Sequence, residues 1–182
     1  DNKLAKLTNT RTIIVAGSRD HIEKDSPSET YEFKSNTVIL PADEFSNAYF
    51  EDIDTCVTGF SYGRDEYTEN FSKDVTVQQE GSTNILLMYG GDSKHGAFDF
   101  KKLAGAGFDY VALGSLRKPK HMVKNRMAYP GSPEPVSHLD TGKHGYIYGQ
   151  IIHGETRIKW EPVACREYIN LGLEVKPEYT AR

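Results

Sequence analysis

Two unbroken apolar runs, 85-ILLM-88 and 110-YVAL-113, constrain the fold more than any other feature of the sequence. A strand with one solvated face alternates apolar and polar residues, whereas a strand covered on both faces is apolar throughout. Sheets made of such strands lie between other layers of structure. We therefore expect a layered α/β protein, with strands over residues 84–90 and 109–114 at its centre.

Strand signals recur along the rest of the chain, and helical signals are few. Residues 2–8 are expected to end a helix, residues 64–74 to form one, and residues 99–107 to form another that begins at the N-cap Asp99. The second half alternates strands with turns, which predicts antiparallel pairing, and residues 161–175 are expected to be extended. The remaining predicted strands are 12-TIIVAG-17, 37-TVIL-40, 55-TCVTGFSY-62, 126-RMAYPG-131, 145-GYIYGQII-152 and 156-TRIKWEPV-163.

Composition bounds the class of protein. The 182 residues are 37% hydrophobic and 26% charged, which is typical of one globular domain, and we treat residues 1–182 as a single domain. A net charge of -4 gives no bulk attraction for nucleic acid, so such binding would need a local basic patch. The stretch 115-SLRKPKHMVKNR-126 is one candidate, and a solvated loop with a strand edge is the alternative interpretation.

Cysteine usage and hydropathy indicate the compartment. Cys56 and Cys165 lie far apart without CxxC spacing, which argues against a zinc knuckle or a disulfide framework and suits a reducing cytoplasm. No stretch approaches the apolar run of about 20 residues that crosses a bilayer, and the N-terminus lacks the apolar region of a signal peptide. We expect a cytoplasmic protein that does not span a membrane.

Three predicted strands end in glycine-containing loops, 15-VAGSRDH-21, 87-LMYGGDSKH-95 and 113-LGSLRKP-119. In layered α/β folds, ligands gather at the carboxyl ends of the strands. We therefore expect these loops to converge on one site.

Five elements in order carry a resemblance that covers residues 11–152. They are AGSRD, NILLMYGGD, FDYVALGSLRKP, MAYPGSPEP and GKHGYIYGQI. Together they resemble the later motifs of the calcineurin-like metallophosphoesterases, most closely the SbcD-type DNA repair exonuclease subunit, in which the loops usually read GNHD, HG and GHIHKP. The resemblance implies a β-sandwich flanked by helices, with a two-metal site that hydrolyses phosphoesters. The family's first motifs, DxH and GDxxD, do not occur, so we expect the N-terminal strands of that fold to be absent here.

In the first loop, the resemblance places the family's asparagine ligand at Ser18 and its catalytic histidine at Arg19. A serine hydroxyl is a weak ligand for a divalent ion, and a guanidinium cannot shuttle a proton near neutral pH. Only Asp20, which in the family orients the histidine, matches. We expect no catalytic residue in this loop.

In the other two loops, the family's ligand histidines fall on Tyr89, Ser115 and Arg117. A phenol with a reference pKa of about 10 is a poor ligand without help, and Arg117 puts a cation where a metal ion would sit. The resemblance therefore implies an inactive homologue with no metal cofactor. We expect a structural or regulatory subunit, in a DNA-processing complex, that associates with a protein partner or with a second copy of itself.

Two alternatives stay open. The first is a metal-dependent phosphodiesterase or exonuclease with a rebuilt site for Mn²⁺ or another divalent ion, using Asp20, Asp92 and His95 with carboxylates from upstream or from a partner. In the purely structural interpretation, Asp92 and His95 only shape their loop, and His144 lies in a surface turn.

The second alternative is a metal-free site for phosphate or nucleic acid at Arg19, Arg117 and Lys118, because guanidinium groups bind phosphate through paired hydrogen bonds. Against it stands the interpretation that both arginines pair with Asp20, Asp92 or a partner's carboxylates, since buried cations require partners.

Overall fold

The two apolar runs form neighbouring parallel strands at the centre of a six-stranded sheet. The computed structural model describes residues 1–34, 36–73 and 75–174. Its strands are β1 (Thr12–Ile14), β2 (Thr37–Ile39), β3 (Ser46–Phe50), β4 (Thr55–Gly59), β5 (Thr83–Tyr89), β6 (Tyr110–Gly114), β7 (Lys120–Val123), β8 (Met127–Tyr129), β9 (Gly145–Ile152) and β10 (Glu155–Pro162). Its α-helices are α1 (Pro27–Thr30) and α2 (Phe100–Gly105), and 3-10 helices cover Leu4–Lys6, Glu51–Ile53 and Phe71–Lys73.

The strands form one large sheet and two separate pairs. The order in the large sheet is β3-β4-β5-β6-β8-β7, and its inner neighbours β4, β5, β6 and β8 run parallel. The edge strands β3 and β7 are antiparallel to their neighbours, β1 pairs with β2 in parallel, and β9 and β10 form an antiparallel hairpin. Mixed sheets with few helices in the described ranges place the chain in the α/β class.

The central strands bury one face completely and the other in part. Leu86 and Met88 of β5 and Val111 and Leu113 of β6 point into a core of aromatic and aliphatic side chains. The alternate residues face a groove beneath β9 and β10 and are only half-buried. The expectation that both faces are covered is therefore right for the first face and incomplete for the second, because one hairpin covers only part of it.

The predicted helix at residues 99–107 is confirmed as α2. The Asp99 carboxylate accepts hydrogen bonds from the backbone N–H groups of Lys101 and Lys102, both at 3.1 Å, which caps the helix. Leu103 anchors α2 in the core with 1% of its surface exposed.

The helix predicted for residues 64–74 is wrong. The structure has no helix over residues 64–70 and only the 3-10 helix Phe71–Lys73, and Asp74 lies outside the described residues. Tyr67 instead donates its backbone N–H to the Lys94 carbonyl at 2.9 Å and accepts from the Gly96 N–H at 2.8 Å. These bonds to a neighbouring loop satisfy the backbone groups of Tyr67 without a helix.

The sequence did not predict β3 and β7, the two edge strands of the large sheet. Both β3 and β7 are short, and their residues are mostly polar or only partly buried, so neither has an apolar periodicity to reveal it. The antiparallel pairing expected in the second half is confirmed for β7 with β8 and for β9 with β10, whereas β6 and β8 are parallel. Residues 2–8 contain the 3-10 helix Leu4–Lys6 rather than the end of an α-helix.

The remaining expectations concern cysteines, hydropathy and the end of the chain. Cys56 is buried, Cys165 is exposed, and both are free thiols. None of the helices in the described ranges has the length and apolar character needed to cross a membrane. In the segment predicted to be extended, β10 ends at Pro162 and Tyr168 makes a bridge to Thr141, while Val175 lies outside the described residues.

Candidate functional site

Three loops converge at one end of the central sheet, as the sequence predicted. They follow β1, β5 and β6 and surround a cavity of about 460 Å³. All the candidate residues except Lys118 contribute to its walls, and Leu116 is added to them. The lining residues are Ser18, Arg19, Asp20, Tyr89, Asp92, His95, Ser115, Leu116 and Arg117.

Two of the family's ligand positions bind each other. The Ser18 hydroxyl and the Tyr89 hydroxyl are 2.9 Å apart and share a hydrogen bond. The Tyr89 ring lies so close to Gly17 that a Cβ added there would stand 2.4 Å from the ring. The tyrosine therefore fits only because position 17 is glycine, and its hydroxyl is satisfied without any ligand.

The loop after β1 is held by local hydrogen bonds. Asp20 accepts from the Gly17 backbone N–H at 2.9 Å, so its carboxylate fixes the turn rather than orienting a histidine. The two ring nitrogens of His21 hydrogen-bond to the Ser18 carbonyl and to the Glu23 carboxylate. These hydrogen bonds raise the pKa of the imidazole, and the one to Ser18 contributes most. The Arg19 side chain is exposed and makes no ion pair with a described residue.

Two glycines turn the chain sharply after β5. Gly90 has φ +130° and Gly91 has φ +109°, a region that favours glycine. A Cβ at Gly90 would stand 1.9 Å from the His95 carbonyl oxygen, so the loop closes tightly on itself. The turn directs Asp92 and His95 into the cavity.

Asp92 and His95 form a closed pair. The Asp92 carboxylate accepts from His95 Nδ1 at 2.8 Å and from the backbone N–H groups of Lys94 and His95 at 2.9 and 2.8 Å. Partial burial acts to raise the pKa of Asp92, but these hydrogen bonds outweigh it and lower the pKa below its usual value. The loop-shaping role expected for both residues is therefore present.

Asp20 does not join this pair. Among the residues that the structure describes, no group of three or more His, Cys, Asp or Glu side chains is placed to hold a metal ion. A rebuilt metal site at Asp92 and His95 would need further ligands beyond those described, and it stays a hypothesis. The expectation that no metal or other cofactor binds also stays a prediction.

The loop after β6 begins with a strained residue. Ser115 has φ +108°, which L-amino acids rarely adopt because of the clash at Cβ. Ser115 lines the cavity. Strained backbone conformations of this kind cluster at functional sites. Two residues later, Arg117 lines the cavity and pairs its guanidinium with Asp140.

Arg117 is tied to a carboxylate that sequence reasoning did not select. Its Nη1 lies 3.2 and 3.3 Å from the two oxygens of Asp140. The expected partners were Asp20 and Asp92, so the pairing expected for Arg117 is present with a different acid. Asp140 also accepts from the backbone N–H groups of Val136 and Ser137.

Asp140 is nearly buried, and its charge is compensated. Burial acts to raise its pKa, but the hydrogen bonds from Arg117, Ser137 and Val136 outweigh it and lower the pKa below the usual value. The residue lies 23 positions from Arg117, so no local spacing links the two. The only sequence signal is that a partly buried arginine needs an acid.

His144 is a second residue that the sequence placed wrongly. We expected it in a surface turn, whereas it is 1% exposed, with Nδ1 2.8 Å from the Ser132 hydroxyl and Nε2 3.1 Å from the Asp140 carbonyl. It braces the loop that presents Asp140. In the basic stretch, Lys118 reaches Thr141 and Arg126 donates to the Phe108 carbonyl. The basic patch stays a prediction.

Comparison with protein-family models and with curated proteins finds no match to this chain. The relationship to the metallophosphoesterases rests on the motifs quoted above and stays a prediction.

Replacing Ser115 by glycine is expected to stabilise the protein. Glycine adopts φ +108° without the Cβ clash, so the free energy of unfolding should rise by about 1 kcal/mol in urea titrations. The control is Ser93→Gly in the preceding loop, where φ is not positive and stability should fall slightly. A Ser115→Gly protein less stable than wild type would contradict the strain.

Asp140→Asn is expected to reduce the acid sensitivity of folding. A carboxyl whose pKa is lowered in the folded state stabilises that state above its unfolded pKa, and the stabilisation is lost as the pH falls. Between about pH 5 and pH 3, the melting temperature of wild type should therefore fall more steeply than that of Asp140→Asn. Asp52→Asn, which removes only a surface ion pair with Arg11, should follow wild type. Equal slopes for all three proteins would refute the prediction.

Proposed function

We propose that the chain is a catalytically inactive, SbcD-like relative of the calcineurin-like metallophosphoesterases that serves as a structural or regulatory subunit. The observation that carries the proposal is the state of the four positions where the family has metal ligands. Ser18 and Tyr89 hydrogen-bond to each other, Ser115 is a short hydroxyl on a strained backbone, and Arg117 is paired with Asp140. All four line one cavity.

The chemistry of these groups supports inactivity. A pair of divalent ions needs several imidazole, carboxylate or amide ligands that converge on it, because these supply the electron pairs that water would otherwise give. Here the four family ligand positions hold three hydroxyls and one guanidinium, and Arg19 adds a second cation to the cavity wall. The carboxylates and the imidazole that also line the cavity are bonded within their own loops, Asp20 to the Gly17 N–H and Asp92 to His95. Arg19, at the family's catalytic histidine, cannot act as a general acid near neutral pH.

The layering of the strands supports the β-sandwich that the family resemblance implies. The six-stranded sheet is one layer, and the hairpin β9–β10 lies over its second face. Thr156 donates to the Asp109 carbonyl at 2.8 Å and Trp160 to the Pro130 carbonyl at 2.9 Å, and these bonds fix the hairpin on the sheet. Val15, the residue after β1, borders the same face.

The proposed setting follows from the family resemblance. A scaffold that keeps its loops but loses its ligands acts through contacts with other molecules. We therefore place the protein in a cytoplasmic, DNA-processing assembly, bound to a protein partner or to a second copy of itself.

Loading the purified protein with Mn²⁺ should leave less than one ion per chain, and a generic phosphodiester should not be hydrolysed above the metal-only rate. The reason is that no ligand set of the family's type remains in the cavity. Elemental analysis and hydrolysis are measured on the same sample. The Asp92→Ala variant is the control for the rebuilt site, because loss of bound metal in that variant would assign the ion to Asp92 and His95. Two ions per chain with turnover would overturn the proposal.

A second candidate function is metal-free binding of phosphate groups or nucleic acid. The observation that favours it is Arg19, which is exposed beside the cavity and makes no ion pair with a described residue. Lys118 is also exposed, whereas Arg117 is largely neutralised by Asp140. Arg19 is therefore the cation best placed to meet a phosphate.

Arg19→Ala is expected to weaken binding of single-stranded DNA about tenfold and to reduce the slope of log affinity against log salt by about 1. Fluorescence anisotropy at several salt concentrations measures both quantities. Arg157→Ala is the matched control, since that arginine pairs with Glu155 in the β9–β10 hairpin, remote in sequence from the three loops. Equal losses in the two variants would indicate nonspecific attraction, and no binding by wild type would refute this candidate.

A further inference from the structure

An apolar groove of about 780 Å³ runs along the second face of the large sheet. Its floor is made by Ile85 and Leu87 of β5 and by Tyr110 and Ala112 of β6, and its wall is made by β9 and β10. No Asp, Glu, Lys or Arg side chain of the described residues lines it. The groove therefore suits an apolar segment and gives no partner to a charged one.

β9 borders the groove with its backbone edge rather than with one of its two side-chain faces. Six consecutive residues, 146–151, line the groove, although successive side chains of a strand point to opposite sides. The side chains from both sides of a strand can line one cavity only where the backbone edge of the strand faces that cavity. Within the described residues, β9 pairs with no strand other than β10. The Gly145 N–H at the start of β9 donates to the Ser132 carbonyl, and the rest of the outer edge carries free N–H and C=O groups.

This combination of a free edge above an apolar floor is a site for an added strand. Backbone hydrogen bonds to β9 would hold the strand, and alternate side chains would enter the groove. The exposed aromatic rings of Tyr146 and Tyr148 flank the position that the strand would take.

The chain itself carries a segment with the required pattern. Ile169, Leu171 and Leu173 alternate with Asn170, Gly172 and Glu174, and on a strand the three apolar side chains share one face. They are 67%, 78% and 87% exposed, among the most exposed large apolar residues described. Nothing in the described structure covers them.

The segment leaves the body of its own domain. Tyr168 is held by a 2.9 Å bond from the Gly142 N–H to its carbonyl, and residues 169–174 beyond it do not line the groove. Six residues in a strand span about 20 Å, which is shorter than the eight-residue β9. The segment therefore matches the groove in length, polarity and periodicity.

We propose that residues 169–174 of one chain add as a strand to the free edge of β9 in a second copy, with Ile169, Leu171 and Leu173 in the groove. If each copy gives its segment to the other, the contact is the same from both sides and closes a twofold dimer. Three exposed apolar side chains are then covered, and each two-stranded hairpin becomes a three-stranded sheet. The inference identifies a partner and does not depend on whether the cavity is catalytic.

The test measures the mass of the full chain by analytical ultracentrifugation over a micromolar concentration series. Wild type is expected to be a dimer. The double variant Leu171→Glu/Leu173→Glu should raise the dissociation constant at least about a hundredfold while circular dichroism stays unchanged, since both residues are exposed. Leu139→Glu is the matched control, because Leu139 is 75% exposed but lies outside both the segment and the groove, and it should remain dimeric.

A mixing experiment identifies the receiving site. Ala112→Trp fills the groove floor but keeps the segment, whereas the double variant keeps the groove but loses the segment. Each protein should be monomeric alone, and an equimolar mixture should form a heterodimer that contains one exchanged strand. The double variant needs no change inside the domain, so it remains informative if Ala112→Trp fails to fold.

Monomeric wild type, or a double variant that dimerises like wild type, would overturn the proposal. A monomeric wild type whose segment resists proteolysis would show that the segment folds back onto its own groove, which also overturns exchange. Metal content and turnover are measured independently of mass, so a failure here and a failure of the proposed function can be told apart.

Discussion

Parallel pairing of the central strands is the constraint on which the candidate site depends. Tyr89, the last residue of β5, lies opposite Gly114, the last residue of β6, so the next two loops leave the sheet side by side. The register is fixed because Leu86 and Met88 must enter the core, and a slip of one residue would turn them away from it. The same register turns Tyr89 toward Ser18. Core packing on one face of the sheet therefore sets the contacts in the cavity at its end.

The polar groups of the cavity are largely satisfied by one another. Ser18 binds Tyr89, Asp92 binds His95, and Arg117 binds Asp140. Such pairing stabilises the folded chain, because a buried charge or hydroxyl without a partner costs free energy. Arg19 differs from these groups, since it is exposed and points its charge to solvent. A ligand that competes for the paired groups would have to break a pair, whereas a ligand at Arg19 would not.

On the second face of the sheet, by contrast, groups remain without partners among the described residues. The groove under β9 is apolar, and the outer edge of β9 has free backbone groups. This face of the sheet can therefore still form apolar contacts and backbone hydrogen bonds with an added strand. Three exposed side chains of residues 169–174 are apolar and are covered by nothing in the described structure, namely Ile169, Leu171 and Leu173. Recognition between copies of the chain uses these two features together. The groove adjoins the polar cavity, because Tyr89 lines both of them. The cavity is lined by polar and charged side chains and the groove by apolar ones, so the two suit ligands of different chemistry.

The sequence by itself determined the central strands, the capped helix at Asp99 and the convergence of three loops, because apolar runs, capping residues and glycine turns are local signals. It also identified nearly all the residues of the cavity wall. The edge strands β3 and β7 had no such signal, because a strand at the edge of a sheet is defined by its neighbour rather than by its own pattern. Only the tertiary structure decided that Asp140 neutralises Arg117 and that His144 is buried, since both depend on chain segments brought together by folding. The half-covered second face was likewise decided by where the hairpin β9–β10 packs, which no run of residues encodes.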